Sequence, residues 1–287
     1  MSTKISTPAR PVAVIDHVVV NVREHMAAAA DLYRRLGFAL TPEGRHTLGS
    51  INHLAMFGPD YMELLGVPPG NSERMDVMIW PAGLNGIAFA TDDADAVHAA
   101  LAAAGAPVLP PLGFSRPVAL PDGPRDAAFR VVRMAPEACP AGRLFFCQHL
   151  SRAVVWRDGW RRHPNGVLGV ASVVIAAAEP GTLGGLFRRM FGDDAVVGVA
   201  GGMRLLAGLS SIDVVTPAEV ARRYGAAAPA PDGRAAEMVA LLLRTAGTDR
   251  AAAALQAGGI AFAQPAAGRL VVPAAAAMGA VLEFRGD

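Results

Sequence analysis

The chain has 287 residues, a hydrophobic fraction of 52% and a formal net charge of +1, from 26 Lys and Arg against 25 Asp and Glu. That is enough apolar material for two ordinary cores, and the balanced charge leaves no electrostatic footprint for nucleic acid or an anionic membrane. Two cysteines, Cys139 and Cys147, are too few for a disulfide framework, lack paired zinc-ligand spacing, and read as buried thiols. The opening MSTKISTPARP has no apolar stretch of signal-peptide length, and the longest near-apolar run, 167–178, falls short of the roughly 20 residues of a membrane helix. With a composition rich in Ala and Arg and poor in Lys, these features point to a soluble, cytoplasmic, bacterial protein.

The first element is a strand at 14–22, where IDHVVVNV is rich in β-branched residues. An Ala-rich helix at 25–36 stops at Gly37, and extended segments follow near 38–41, 51–57 and 61–67. The order then repeats: strand 86–91, Asp92 or Asp93 as N-cap, helix 94–104 ending at Gly105, and strands near 112–118, 128–135 and 143–150. A third unit has strand 168–176, helix 181–190 ending near Gly192, and strands near 195–199, 203–207 and 210–216. A fourth has strand 237–244, helix 248–257, Gly259, and strands near 260–263, 269–272 and 279–285. The helix-closing glycines at 37, 105, 192 and 259 are 68, 87 and 67 residues apart, so two near-equal periods flank one longer gap. The extra residues are WRDGWRRHPNG, 156–166, which sets the expected division at 11–151, a linker 152–166, and 167–287.

Four strand–helix–strand–strand–strand units in tandem, with GRHTLGSINHLAMFGPDYMELLGVP, LFFCQHL and HPNG, resemble the vicinal oxygen chelate superfamily and its glyoxalase-like branch. The resemblance implies an α+β fold of paired βαβββ units, each pair closing a cup around a metal. It also implies that the His of a unit's first strand and the Glu of its last strand are metal ligands, and His17 and Glu63 match both positions. Strand alternation puts His17 with Ile15, Val19 and Asn21 on the cup face, Asp16 with Val18, Val20 and Val22 on the helix face, and Glu63 in the cup beside Tyr61 and Leu65.

The second unit departs from the pattern, with Asn85 and Gly86 where a His or Gln is implied and Phe146 near the Glu position. Gln148 and His149 lie just beyond, and either one completes the shell in this reading; alternation from Phe146 favours Gln148 as the inward residue. In INHLAMF, Leu54 and Met56 are expected on the helix face, which turns His53 into the cup as a candidate catalytic base beside Glu63. Arg45 and His46, in a Gly-flanked turn, and Phe114 and Arg116 are the candidate substrate contacts, a guanidinium suiting a carboxylate or phosphate. The C-terminal half keeps Asp213 and Glu283 at the carboxylate positions but has Ser172 and Val239 where His17 stands, and is expected to be structural.

The resulting expectation is a lyase- or isomerase-type enzyme acting on a small oxygenated substrate through a divalent metal (Zn, Ni, Mn or Fe), with no nucleotide cofactor. One alternative is an Fe(II) dioxygenase of the extradiol type, which needs His149 in the shell. The other is a metal-free small-molecule binding protein. Nucleic acid and membrane are not expected partners, and a homodimer is neither required nor forbidden.

Overall fold

The computed structural model describes residues 9–71, 74–120 and 122–286. Its first unit runs β1 (Ile15–Arg23), α1 (Met26–Arg35), β2 (Gly44–Arg45), β3 (Ile51–Met56) and β4 (Tyr61–Gly66), followed by the short α2 (Met75–Met78). The second runs β5 (Gly83–Ala90), α3 (Ala94–Ala103), β6 (Leu112–Val118), β7 (Arg125–Arg133) and β8 (Arg143–His149), followed by α4 (Arg152–Val155). The third comprises β9 (Val167–Ala177), α5 (Pro180–Phe191), β10 (Val196–Val199), β11 (Gly202–Ala207) and β12 (Ser210–Val215), then α6 (Pro217–Tyr224). The fourth comprises β13 (Ala236–Thr245), α7 (Thr248–Ala257), β14 (Ala263–Ala266), β15 (Arg269–Val272) and β16 (Val281–Gly286).

Each pair of units forms one eight-stranded sheet, in the orders β2-β3-β4-β1-β5-β8-β7-β6 and β10-β11-β12-β9-β13-β16-β15-β14. The first strands of two units pair antiparallel at the centre, and each pairs in parallel with the last strand of its own unit. This is the paired βαβββ architecture the repeat predicts. The predicted helix ends hold as well. Asp93 caps α3 by accepting from Ala96 N, and Gly37 closes α1 at a φ of +86°. A Cβ at Gly37 would also stand 2.9 Å from the side chains of Ala254 and Asn165, so glycine is required twice over.

The helix-facing sides of both sheets merge in one continuous core. Val18, Val20 and Val22 of β1 share it with Val173 and Ile175 of β9, and Phe38 meets Phe284 while Phe89 meets Phe191 across the two halves. The HPNG segment fastens the junction: His163 Nε2 donates to Met56 O, its Nδ1 accepts from Ala39 N, and Asn165 donates to Leu36 O. Burying the convex, helix-bearing faces against each other leaves both concave faces turned outward.

The two concave faces have different fates. In the C-terminal half α6 fills its own cup, where Val220 and Tyr224 pack on Val174, Val215, Val239 and Leu242. Asp213 is bonded by Arg204 and Arg223, and Glu283 by Arg269 and Arg285, so both carboxylates are consumed by arginines. In the N-terminal half the cup stays open.

Candidate functional site

The open cup is a cavity of about 380 Å³ whose lining includes His17, His46, Asn52, Tyr61, Glu63, Phe114 and Arg116. Its floor is built by β1 and β4. Parallel pairing sets His17 opposite Tyr61 and Val19 opposite Glu63, so the His17 imidazole stacks on the Tyr61 ring at 4.4 Å, with Phe145 edge-on at 5.4 Å. A β-bulge between Ile15 and His17 interrupts the expected alternation. Ile15 joins the helix-side core, and Asp16 is brought into contact with the histidines instead of facing the helix.

Asp16 Oδ2 lies 2.6 Å from His17 Nδ1 and 3.0 Å from His149 Nε2, all three side chains being buried. Burial alone would raise the Asp16 pKa, but hydrogen bonds from the two imidazoles outweigh it and hold the carboxyl well below its usual range. With its Nδ1–H donating to Asp16, His17 presents Nε2 to Glu63 Oε2 at 3.8 Å, too far for a hydrogen bond. Glu63 Oε1 accepts from Asn52 Nδ2 at 2.6 Å. Burial opposes its ionisation, but the nearby His17 and His46 and the Asn52 bond together keep its pKa below the ordinary value.

On the far flank of Glu63, His46 Nε2 lies 4.0 Å from Oε1 and accepts from Asn52 at 3.2 Å, while its Nδ1 donates to Ser50 Oγ at 2.8 Å. Burial, reinforced by the charges of Arg116 and Arg74, pulls the His46 pKa down to about 4 against the pull of Glu63. The imidazole is therefore neutral at pH 7, with its proton on Nδ1.

The structure brings His17, Glu63, His46, Phe114 and Arg116 to one cavity and disperses the other expected residues. His53 points to the opposite side of β3, where Nδ1 donates to Thr41 O at 2.7 Å, while Leu54 and Met56 line the cup side. Both faces of this strand are largely apolar, because the cup itself is, so alternation alone cannot tell them apart. Arg45 is exposed and paired with Glu43. Gln148 turns to the start of α3, accepting from Ala94 N and donating to Asp92 O. Phe146 belongs to the helix-side core, and its neighbour Phe145 faces the cup. His149 is on the inner side but behind His17, held by Asp16 and ringed by Tyr61, Phe129 and Trp156.

Sequence reasoning missed Asp16 and Asn52. Asn52 shares its face with Leu54, so reading Leu54 as a cup residue would have found it; nothing in IDHVVV announces the bulge that turns Asp16.

Two groups of side chains suit a metal. His17 Nε2 and Glu63 Oε2 stand at the separation of two donors on one ion, since bonds of about 2.1 Å put neighbouring ligands roughly 3–4 Å apart. Asp16 behind His17 is the carboxylate that commonly orients a metal-bound imidazole. Alternatively, Asp16, His17, Cys147 and His149 have donor atoms all within 4.8 Å of one another. There the Asp16 carboxylate is engaged by both imidazoles, and burial pushes the Cys147 thiol well above its usual range, away from the thiolate that a metal binds. The first pair fits the ion better.

Among solved structures, a hypothetical protein from Staphylococcus aureus is similar over 96% of this chain and 100% of its own, with a TM-score of 0.67 at 14% identity. A xylose isomerase-like TIM barrel/4-hydroxyphenylpyruvate dioxygenase fusion protein is similar over 91% of this chain and 42% of its own, at 0.58 and 16%. A mutant 4-hydroxymandelate synthase from Streptomyces coelicolor is similar over 96% and 93%, at 0.56 and 12%. At these identities the likeness is one of fold. A search of curated proteins found no match. The glyoxalase-like domain model matches residues 15–191, which is more than half of the chain, and together with the paired βαβββ sheets this shows that the chain belongs to the glyoxalase-like domain family.

Proposed function

We propose that the N-terminal cup is the active site of a glyoxalase-like enzyme that acts on a small oxygenated molecule with a divalent metal held by His17 and Glu63. The observation that carries this reading is the 3.8 Å approach of His17 Nε2 to Glu63 Oε2, with the other ring nitrogen committed to Asp16 and the other carboxylate oxygen to Asn52. Both donors are thereby aimed at one point. His17 and Glu63 would hold the metal, which would supply the Lewis acidity that lyase or isomerase chemistry of this kind requires.

The chain's own residues divide the remaining work. Asp16 fixes the ring orientation and tautomer of His17. Asn52 holds Glu63 and, through the same amide, His46, whose neutral imidazole lines the cavity beside Glu63. Tyr61, stacked on His17, and Phe145, edge-on to it, help bury the ring.

The ring-cleaving dioxygenase reading needs His149 beside Glu63, and its engagement by Asp16 on the other side of His17 weighs against that. The test is a calorimetric titration of Mn²⁺ and Zn²⁺ into chelator-treated protein. One site per chain, lost in both Glu63→Gln and His17→Gln variants of unchanged melting temperature, supports the reading. No binding, or binding that survives both substitutions, returns the cup to the metal-free binding-protein reading.

A further inference from the structure

The open cup carries more positive charge than its own residues neutralise. Among the described residues four arginines line it, Arg74, Arg116, Arg133 and Arg143, against two carboxylates, Glu63 and Asp76. Asp76 is taken by Arg74, whose Nε lies 2.8 Å from Oδ1 and whose Nη1 donates to Ser50. Glu63 faces His17 and is bonded by Asn52. Arg133 is exposed to water.

Arg116 and Arg143 are the remainder. Arg116 is 3% exposed, has no carboxylate in ion-pair range among the described residues, and its Nε and Nη2 have no hydrogen-bond partner. Arg143 has one long bond, from Nη2 to Asn85 Oδ1 at 3.4 Å, and its Nε is also without a partner. A guanidinium withdrawn from water without a counter-ion costs stability, and chains keep such groups where a ligand supplies the missing partner. Planar, multiply donating groups of this kind suit the oxygens of a carboxylate or phosphate.

Most of the remaining wall is apolar. Leu48, Trp80, Leu112, Phe114, Phe129 and Met134 line the same cavity, and Phe114 and Phe129 stack at 5.1 Å. At about 380 Å³ it is within the range of small-molecule sites.

We infer that the cup takes a small molecule with an apolar body and one anionic group, a carboxylate or phosphate monoester, seated on Arg116. This inference rests on the reading of the cup as a small-molecule site and does not depend on the metal.

The test is calorimetry on chelator-treated full-length protein with three probes: 4-phenylbutyrate, phenyl phosphate, and the neutral 4-phenylbutyramide. Either anion should bind at least tenfold more tightly than the amide, and which anion binds better tells carboxylate from phosphate. Arg116→Met should abolish that preference and leave the weak affinity for the amide, and Arg116→Lys should keep part of it. Arg116→Met should also melt no lower than the parent, because the unpaired charge leaves the interior; a structural arginine would show the reverse.

Equal affinity for anions and amide, or a preference that survives Arg116→Met, overturns the inference while leaving the cup a small-molecule site. Absence of binding by all three probes overturns it as well, and the Mn²⁺ and Zn²⁺ titrations then judge the metal reading separately.

Discussion

Asp16 accepts a hydrogen bond from His17 Nδ1 at 2.6 Å, and this contact leaves the opposite ring nitrogen free to face Glu63. The same carboxylate oxygen accepts from His149 at 3.0 Å, so one buried group fixes two imidazoles. The proposed metal pair therefore depends on a residue that does not itself face the metal.

Asp16→Asn should weaken metal binding without removing it. An amide cannot accept from both imidazoles with the strength of a carboxylate, and loss of such an orienting partner typically lowers metal affinity by about 10–100-fold. Titration of Zn²⁺ into the variant should show unchanged stoichiometry and a lower affinity. Affinity equal to that of the parent protein would show that Asp16 does not orient a ligand.

Glu283→Gln should destabilise the protein and leave the metal affinity of the N-terminal cup unchanged. Glu283 is fully buried and bonded by Arg269 and Arg285 at 2.9 and 2.5 Å. Removing the anion strands two guanidinium groups, at a cost of about 3 kcal/mol, near the low end for a buried pair because both arginines reach solvent. Urea denaturation measures the loss, and a metal titration of the same variant checks that the two halves act independently.

Asp60 should contribute a loss of stability as pH rises from about 4 to about 7, opposite in sign to the gain from the buried, neutral His46 over much of the same range. This carboxyl is 2% exposed; it accepts from Val170 N at 3.0 Å, and its nearest cation, Arg244, is 4.0 Å away. Burial outweighs both and raises its pKa from 3.8 to about 7. Between those values the folded state holds a proton that the unfolded state has lost, so raising pH favours unfolding, and above about 7 the penalty is constant. At about 1.4 kcal/mol per pH unit the full penalty is on the order of 4 kcal/mol. Asp60→Asn removes the titrating group, so the denaturation midpoint of the variant, followed from pH 4 to 8, should gain on that of the parent as pH rises, and a constant difference would contradict this.

Much of the fold was legible because each unit repeats the same signals. An apolar strand, a helix and a glycine after the helix fall at matching places, and helix 248–257 and strands 112–118 and 269–272 agree residue for residue with the sequence reading. The helix α6 escaped it, although Thr216 caps it by accepting from Glu219 N and Pro217 opens it. It lies between the units, where the repeat makes no prediction.

The site was less legible, for two physical reasons. Alternation assigns faces only when one face is polar, and β3 has apolar residues on both, which exchanged the expected places of His53 and Asn52. Alternation also assumes an unbroken ladder, and the bulge at Asp16 breaks it at the one position that links His17 to His149. Glu63 was placed correctly because β4 pairs with β1 without interruption from His17 to Asn21.

The measurement that tests the central claim most directly is anomalous diffraction from crystals of the protein soaked in Mn²⁺. The account predicts one peak per chain, lying between His17 Nε2 and Glu63 Oε2. A peak among Asp16, Cys147 and His149, or none in the cup at full soak, would contradict it.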